Sequence, residues 1–397
     1  MKRVFLSMLA VTSLIFTSCS SENEDSSSSV TAPDTYTFTR DGETSVSFSG
    51  QTTRIAMAEE LFDALLDETK TSTELLAMLA HEQNNTDFSD ADLNSASNQI
   101  WNKLAESVDY FKDDLGELTD DSGEIRDFIE ALISDQATTV FPYWVDAATA
   151  GNAGQLVSGD KTRYVDAQGV ELDQFFAKGL IGTLMTDQIL NDYLTLSQSA
   201  DNETVESGNY TKMEHYWDEA YGYLYGAEED TTSPELNADS FLNKYLSSVD
   251  SDSDFTGIAA TIFDAFKLGR AAIVAQEYDV RDEQIEIIRE NISKVIGVRA
   301  VYYLQSGKTA LEADNVDHAS AFHSISEGLG FVYSLQFTRK ANVTTPTPYF
   351  TKTQVDSFID QLLEPTNGLW DGSTAATLGD LAEEIAAEFD FTVEEAL

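Results

Sequence analysis

The feature that most constrains this chain is a pattern that occurs twice. His215 opens HYWDEAYGY and His323 opens HSISEGLGF. Both read H-x-x-x-E-x-x-G followed by Tyr or Phe, in a chain with only four histidines. Two further matches follow in the same order. DSFLNKYL from Asp239 pairs with DSFIDQLL from Asp356, and AATIFD from Ala259 pairs with AATLGD from Ala375. The offsets are 108, 117 and 116 residues, so the copies differ chiefly in loop length. Self-similarity at a nearly fixed offset predicts an internal duplication, with a His and a Glu at equivalent points of two halves.

The fold is expected to begin well after Met1. Lys2 and Arg3 form a short basic start, and Val4 to Phe16 is a mostly apolar run too short to span a bilayer as a helix. It leads into F-T-S-C, where Cys19 is the only cysteine. This resembles a bacterial lipobox, with Phe16 in place of the usual Leu. Residues 1–18 are therefore expected to be a lipoprotein signal peptide and Cys19 the lipidation site. A lone cysteine excludes an intramolecular disulfide and a zinc site of several cysteines. Residues 19–33 are acidic and Ser-rich and are expected to be a disordered tether. An acidic stretch after a lipidated cysteine resembles the export signal of surface lipoproteins in Gram-negative bacteria. It points to the outer membrane, with the anchored protein on its periplasmic or surface face.

A formal net charge of -47 repels nucleic-acid backbones and anionic lipid surfaces, so no nucleic-acid partner is expected and the lipid must do the anchoring. Solubility in a salty habitat and concentration of cations both account for such a charge.

Tyr36–Phe38 and Val46–Phe48 alternate around Arg40-Asp41-Gly42, which predicts a short N-terminal β-hairpin. Beyond it the apolar spacing is helical, as at Ile55, Ala58, Leu61, Phe62 and Leu65. Helices are expected over 72–81, 91–110 and 123–141, with a break near Pro142, and 151–169 reads as a long loop. The fold class is all-α: two related helical bundles. Residues 34–150 form an N-terminal helical region packing on the first bundle. The first helical repeat spans 170–278 and the second 281–390, at about four helices each. Ile181-Gly182 and Ile296-Gly297 mark expected close helix approaches. Asp250 to Asp254 starts like a calcium loop but has Phe255 where the turn needs Gly, and reads as a helix-cap region. His81 and His318 read as surface helix residues.

On a helix, His215 and Glu219 share a face, with Asp218 nearby. Thr211 and Glu214 are spaced as a capping box. Gly222 and Gly330 remove bulk one turn further on, so a neighbour can come close. His323 and Glu327 repeat the arrangement, with Ser326 where the first half has Asp218. An imidazole and a carboxylate one turn apart are half of a metal site; equally, they are a hydrogen-bonded pair that fixes helix packing. The candidate metal ligands are His215, Asp218, Glu219, His323 and Glu327. Asp187 or Asp192, and Glu283, Glu286 or Glu290, are candidates to complete the two sites.

TRYVDAQGVELDQ from Thr162, KGLIG from Lys178 and HYWDEAYGY from His215 resemble an uncharacterised bacterial lipoprotein family, domain of unknown function 4856. Over roughly Thr37 to the C-terminus the chain also resembles the imelysin-like superfamily. That resemblance implies a helical, two-bundle, envelope-associated protein linked to iron acquisition, classed with putative peptidases of signature G-x-H-x-x-E. His215 matches the signature His, while Met213 and Asp218 stand where Gly and Glu belong. Ala321, His323 and Ser326 fill the same places in the second half.

The leading expectation is a lipid-anchored, non-enzymatic binding protein for iron or another divalent or trivalent cation, working with membrane proteins of metal uptake. Haem is a less favoured ligand. A metal-dependent peptidase or hydrolase, with Glu219 as general base, is the second reading. A surface partner-binding or scaffold protein without metal is the third.

Overall fold

Apolar periodicity and side-chain caps account for most elements in a computed structural model that describes residues 30–397. Cys19, the expected signal peptide and most of the expected tether lie outside the described residues. The described chain is mostly helical. Its N-terminal hairpin pairs β1 (Thr39–Arg40) with β2 (Glu43–Thr44). Asp41 and Gly42 both adopt positive φ, the type I′ geometry that suits a two-residue hairpin. Helix α1 (Ser49–Ala64) buries Ile55, Ala58 and Leu61. Helix α2 (Ser72–Leu79) starts at a capping box between Thr71 and Glu74.

The helix expected over 91–110 is a correction. Only α3 (Ala91–Ser95) and one 3-10 turn at Trp101–Lys103 form there. Farther on, the N–H groups of Glu106 and Ser107 donate to the Asp187 carboxylate, and that of Val108 donates to Asp192. Buried carboxylates thus take the backbone donors that a helix would have used. Helix α4 (Asp120–Asp135) continues as a π-helical turn, Gln136–Val140, and stops by Pro142.

The expected loop at 151–169 is a second correction. It holds an antiparallel hairpin of β3 (Gly154–Ser158) and β4 (Lys161–Val165), turning at Gly159. Tyr164 stacks on Trp144 with ring centroids 3.4 Å apart, which gives the hairpin an apolar face.

Helix α5 (Leu172–Leu180) runs on through two π-helical stretches, Ile181–Thr186 and Gln188–Tyr193, into α6 (Leu194–Ser197). Every residue from Glu171 to Leu194 is buried, so this rod is central. The chain continues with α7 (Lys212–Tyr225), α8 (Leu242–Asp250) and α9 (Ile258–Ala275). Helix α10 (Tyr278–Leu311) is the longest, followed by α11 (His318–Ser334), α12 (Lys352–Leu363) and α13 (Thr374–Glu388). Asp250 accepts from the N–H groups of Gly257 and Ala259 and so caps the start of α9.

Helix α5 packs between α4 and α11, while α10 packs along α9, α11 and α13. Buried apolar residues form one connected core from Tyr36 to Ala396. At Gly182 an added Cβ would sit 2.5 Å from Ser334 Oγ, and at Gly297 it would sit 2.6 Å from the Phe389 ring, so both glycines permit close approach. His81 is a third correction: it is buried, and its Nδ1 lies 2.6 Å from Asp87. No described helix is long and apolar enough to cross a membrane.

Candidate functional site

Helix α7 sets the first His–Glu pair. Thr211 caps it in the expected capping box with Glu214. One turn on, His215 Nε2 and Glu219 Oε2 stand 3.8 Å apart. His215 Nδ1 lies 3.1 Å from the backbone carbonyl oxygen of Ser47. A carbonyl oxygen only accepts, so Nδ1 carries the hydrogen, and Nε2 is the ring nitrogen that faces Glu219. The ring is stacked on Tyr210 at 4.3 Å. Glu219 accepts from Gln51 Nε2 at 3.1 Å. Both side chains keep solvent contact, 27% for His215 and 19% for Glu219.

Asp218 does not join them. It is fully buried and accepts from Arg270 Nε at 2.9 Å, Tyr36 Oη at 2.7 Å and the Ser47 N–H at 3.2 Å. Arg270 also donates to Glu214 at 2.8 Å, and Arg40 reaches the same carboxylate at 2.9 Å. Burial works against the Arg270 charge, but Asp218, Tyr36 and Glu214 outweigh it and hold the guanidinium above its ordinary value. Burial likewise opposes the Glu214 charge, and Arg270 with the Thr211 N–H and Arg40 holds that carboxyl low. This network ties α7 and α9 to the N-terminal hairpin region.

Glu219 borders a cavity of about 350 Å³ that Asp192 and Tyr193 also line, together with Arg54, Lys103 and Lys112. The second π-helical stretch presents Asp192 and Tyr193 there, and such stretches frequently mark functional sites. Burial pushes the Asp192 carboxyl up to about 6, against the pull of Lys103. Asp187 is turned away, bonded to the N–H groups of Glu106 and Ser107, and burial pushes it up to about 7.

Helix α11 sets the second pair, and there both ring nitrogens face carboxylates and the carboxylate already holds a cation. His323 Nε2 is 3.5 Å from Glu327 Oε2, while Nδ1 is 3.1 Å from Glu171 Oε2. The other Glu327 oxygen is 3.1 Å from Lys178 Nζ and accepts from Tyr245 Oη at 3.0 Å. Burial works against Glu327 ionisation, but Lys178 and then His323 outweigh it and keep the carboxyl low. Burial also lowers Lys178, with Glu327 opposing. Asp173 beside them is pushed up to about 7 by burial and by Glu171. The two carboxylates face opposite ring nitrogens of His323, so one ion cannot meet both together with one nitrogen. Among the described residues no group of three or more His, Cys, Asp or Glu side chains is arranged to hold a metal ion.

Glu171 is the acid that meets His323. Of the acids expected there, Glu286 is paired with Arg289 at 2.7 Å and Glu290 with Lys294 at 3.9 Å. Both glycines of the repeated pattern do admit a neighbour. A Cβ at Gly222 would sit 2.5 Å from Phe48 Cβ, and one at Gly330 would sit 2.9 Å from the Gly179 nitrogen of α5.

The residues that close these sites, Arg270 and Lys178, carried a signal that periodicity alone passes over. Lys178 is a single cation inside the apolar run FFAKGLIG, and Arg270 follows Lys267 in the apolar run AFKLGRAAIVA, in a chain with 23 basic residues against 70 acidic ones. No curated protein and no solved structure matches this chain. The chain belongs to the family described as Domain of unknown function (DUF4856), whose family model matches residues 33–392.

Proposed function

We propose that this is a lipid-anchored cell-envelope protein that binds a cation, iron foremost, through His215 and Glu219, and that it serves metal uptake at the outer membrane without being an enzyme. The observation that carries the reading is the bond from His215 Nδ1 to the Ser47 carbonyl. A metal-binding His commonly donates its second ring N–H in this way, which fixes the ring and leaves the other nitrogen to the metal. Glu219 stands 3.8 Å from that nitrogen, a small rotation from the roughly 3 Å that two donors keep on one ion with bonds of about 2.1 Å. Imidazole with carboxylate suits iron, manganese or zinc. Cys19, behind an apolar run and a basic start, supports the lipid anchor. The repeated H-x-x-x-E-x-x-G pattern, with its Gly against a neighbouring segment in both halves, supports descent from an internal duplication. Such a duplication would agree with kinship to imelysin-like proteins, whose signature this chain matches at His215 but not at Met213 or Asp218.

The test is metal content of the full chain in detergent. It would be loaded anaerobically with iron(II), desalted and measured by mass spectrometry, beside an H215A/E219A variant. About one iron per chain, lost in a variant with unchanged circular dichroism, is the expected result. No retained iron in the wild type sinks the reading and leaves the pair as helix packing.

A further inference from the structure

A cavity of about 570 Å³ shares no lining residue with the one beside Glu219. The π-helical turn Gln136–Val140 supplies Thr138 and Thr139 to its wall, and the segment leading into β3 supplies Tyr143, Asp146, Thr149 and Asn152, with three alanines between them. The cavity beside Glu219 carries both charges; this one has a single charged side chain, Asp146, and no cation. Its polar groups are left mostly as acceptors. Thr138 and Thr139 give their hydroxyl hydrogens to the carbonyls of Ser134 and Asp135, so their oxygens can only accept. Asn152 spends its N–H groups on Thr149 Oγ1 and the Ala150 carbonyl, which leaves Oδ1 to accept. The Asp146 carboxylate has no hydrogen-bond or ion-pair partner among the described residues. The backbone fixes this wall in advance. The Gln155 N–H donates to the Asp146 carbonyl at 2.7 Å, a Cβ added at Gly154 would collide with that carbonyl, and Gly151 at φ +81 turns the chain between Thr149 and Asn152.

Acceptors spread around one cavity call for a ligand that brings several separate donors. An anion meets only a carboxylate here, inside a chain of net charge -47. An ammonium gathers its donors at one atom and finds one carboxylate. An extended peptide needs a free strand edge, and the edge of β3 away from β4 is already paired with Asp146–Ala148. We infer that this cavity binds a neutral saccharide. Its hydroxyls reach the Asp146 carboxylate, Asn152 Oδ1 and the threonine oxygens, and its C–H face lies on the Tyr143 ring, which is 49% exposed, and on the alanines. The volume suits a disaccharide, and the exposed wall lets a longer chain run out of the cavity. The π-helical turn adds a feature that frequently marks functional sites. This inference is independent of the cation reading above.

Saturation-transfer NMR tests this on the full-length protein in a detergent without a sugar headgroup. The neutral probes are maltose, cellobiose, lactose and chitobiose; a hyaluronan disaccharide is the acidic probe and spermidine the cationic one. The expected result is transfer to at least one neutral disaccharide and to neither charged probe. For a sugar that binds, D146A is expected to weaken affinity by roughly tenfold or more, as loss of a hydrogen bond to a charged group does, and N152A by somewhat less. Y143A is expected to weaken it more than Y143F, because the ring face and not the hydroxyl alone makes the contact. All three positions are exposed, so these variants are expected to keep the circular dichroism of the wild type. H215A/E219A is expected to bind the sugar as the wild type does. Transfer to no neutral disaccharide, stronger transfer to a charged probe, or affinity unchanged in D146A, N152A and Y143A overturns the inference.

Discussion

At His323 the carboxylate one turn on is held by an ammonium and a phenol: Glu327 meets Lys178 at 3.1 Å and Tyr245 at 3.0 Å. At His215 the corresponding Glu219 meets one neutral amide, that of Gln51 at 3.1 Å. The helix register is the same in both places, and the neighbours are not. In the second half, α5 passes so close to Gly330 that Lys178 enters the pair from a buried position. In the first half the neighbour at Gly222 is Phe48, at the start of α1, which brings no charge. The cation of that half, Arg270, goes instead to Asp218 and Glu214. A repeated local pattern therefore supplies two His–Glu pairs, and packing decides that the carboxylate of one is held by a buried cation while that of the other is not.

The largest expected effect comes from removing the buried cations. R270M leaves Asp218 buried without its cation and Glu214 with Arg40 alone, and is expected to cost toward the upper end of about 3–5 kcal/mol; K178M, which removes the cation from Glu327, falls toward the lower end. Urea midpoints would measure both. E327Q added to K178M is expected to recover part of the loss, and if it recovers none, Lys178 acts by packing rather than by charge. Next come the glycines. G330A places a Cβ against the α5 backbone and is expected to cost about 1–3 kcal/mol; G222A meets a half-buried Phe48 side chain that can give way and is expected to cost less. Equal losses in thermal unfolding would erase this difference between the halves.

Acidity separates the two regions more gently. Asp173, Asp187 and Asp239 sit near 7 and Asp192 near 6, all raised by burial from 3.8. The folded state then binds more protons than the unfolded one between about pH 4 and 7, so stability falls as pH rises through that window. Glu214 and Glu327 are held low and act with the opposite sign, losing their contribution only in stronger acid. Calorimetry is expected to give a higher Tm at pH 5 than at pH 8, and D173N beside Glu171 is expected to flatten the slope. A Tm independent of pH would refute the assignment. The smallest effect on stability is expected from H215A/E219A, within about 1 kcal/mol, because the pair is partly exposed and stabilises little. A loss as large as that of K178M would mean that the first pair is as structural as the second.

Much of the helical frame was legible because helix formation is local. Apolar spacing located α1 and α10 to α13, and the capping box of α7 stood in the spacing of Thr211 and Glu214. The failures share one cause. Residues 91–110 have helical spacing, yet Asp187 and Asp192, about 80 residues on, take the N–H groups of Glu106, Ser107 and Val108. The hairpin at 154–165 depends in part on Tyr164 meeting Trp144. His81 is buried against Asp87 and Phe88, beyond the helix that periodicity assigned it to.

For the site, the sequence by itself determined that His215 lies one turn from Glu219 and His323 one turn from Glu327, because helical rise and pitch are set by the backbone. It also determined a chain so acidic that any cation inside it stands out. Only the tertiary structure decided that Asp218 belongs to Arg270, that Glu171 rather than Glu286 meets His323, and that three basic side chains line the cavity beside Glu219. Those pairings join residues far apart in the chain. Their energies depend on burial, which excludes water and makes an unmatched charge costly, and burial exists only once the helices have packed.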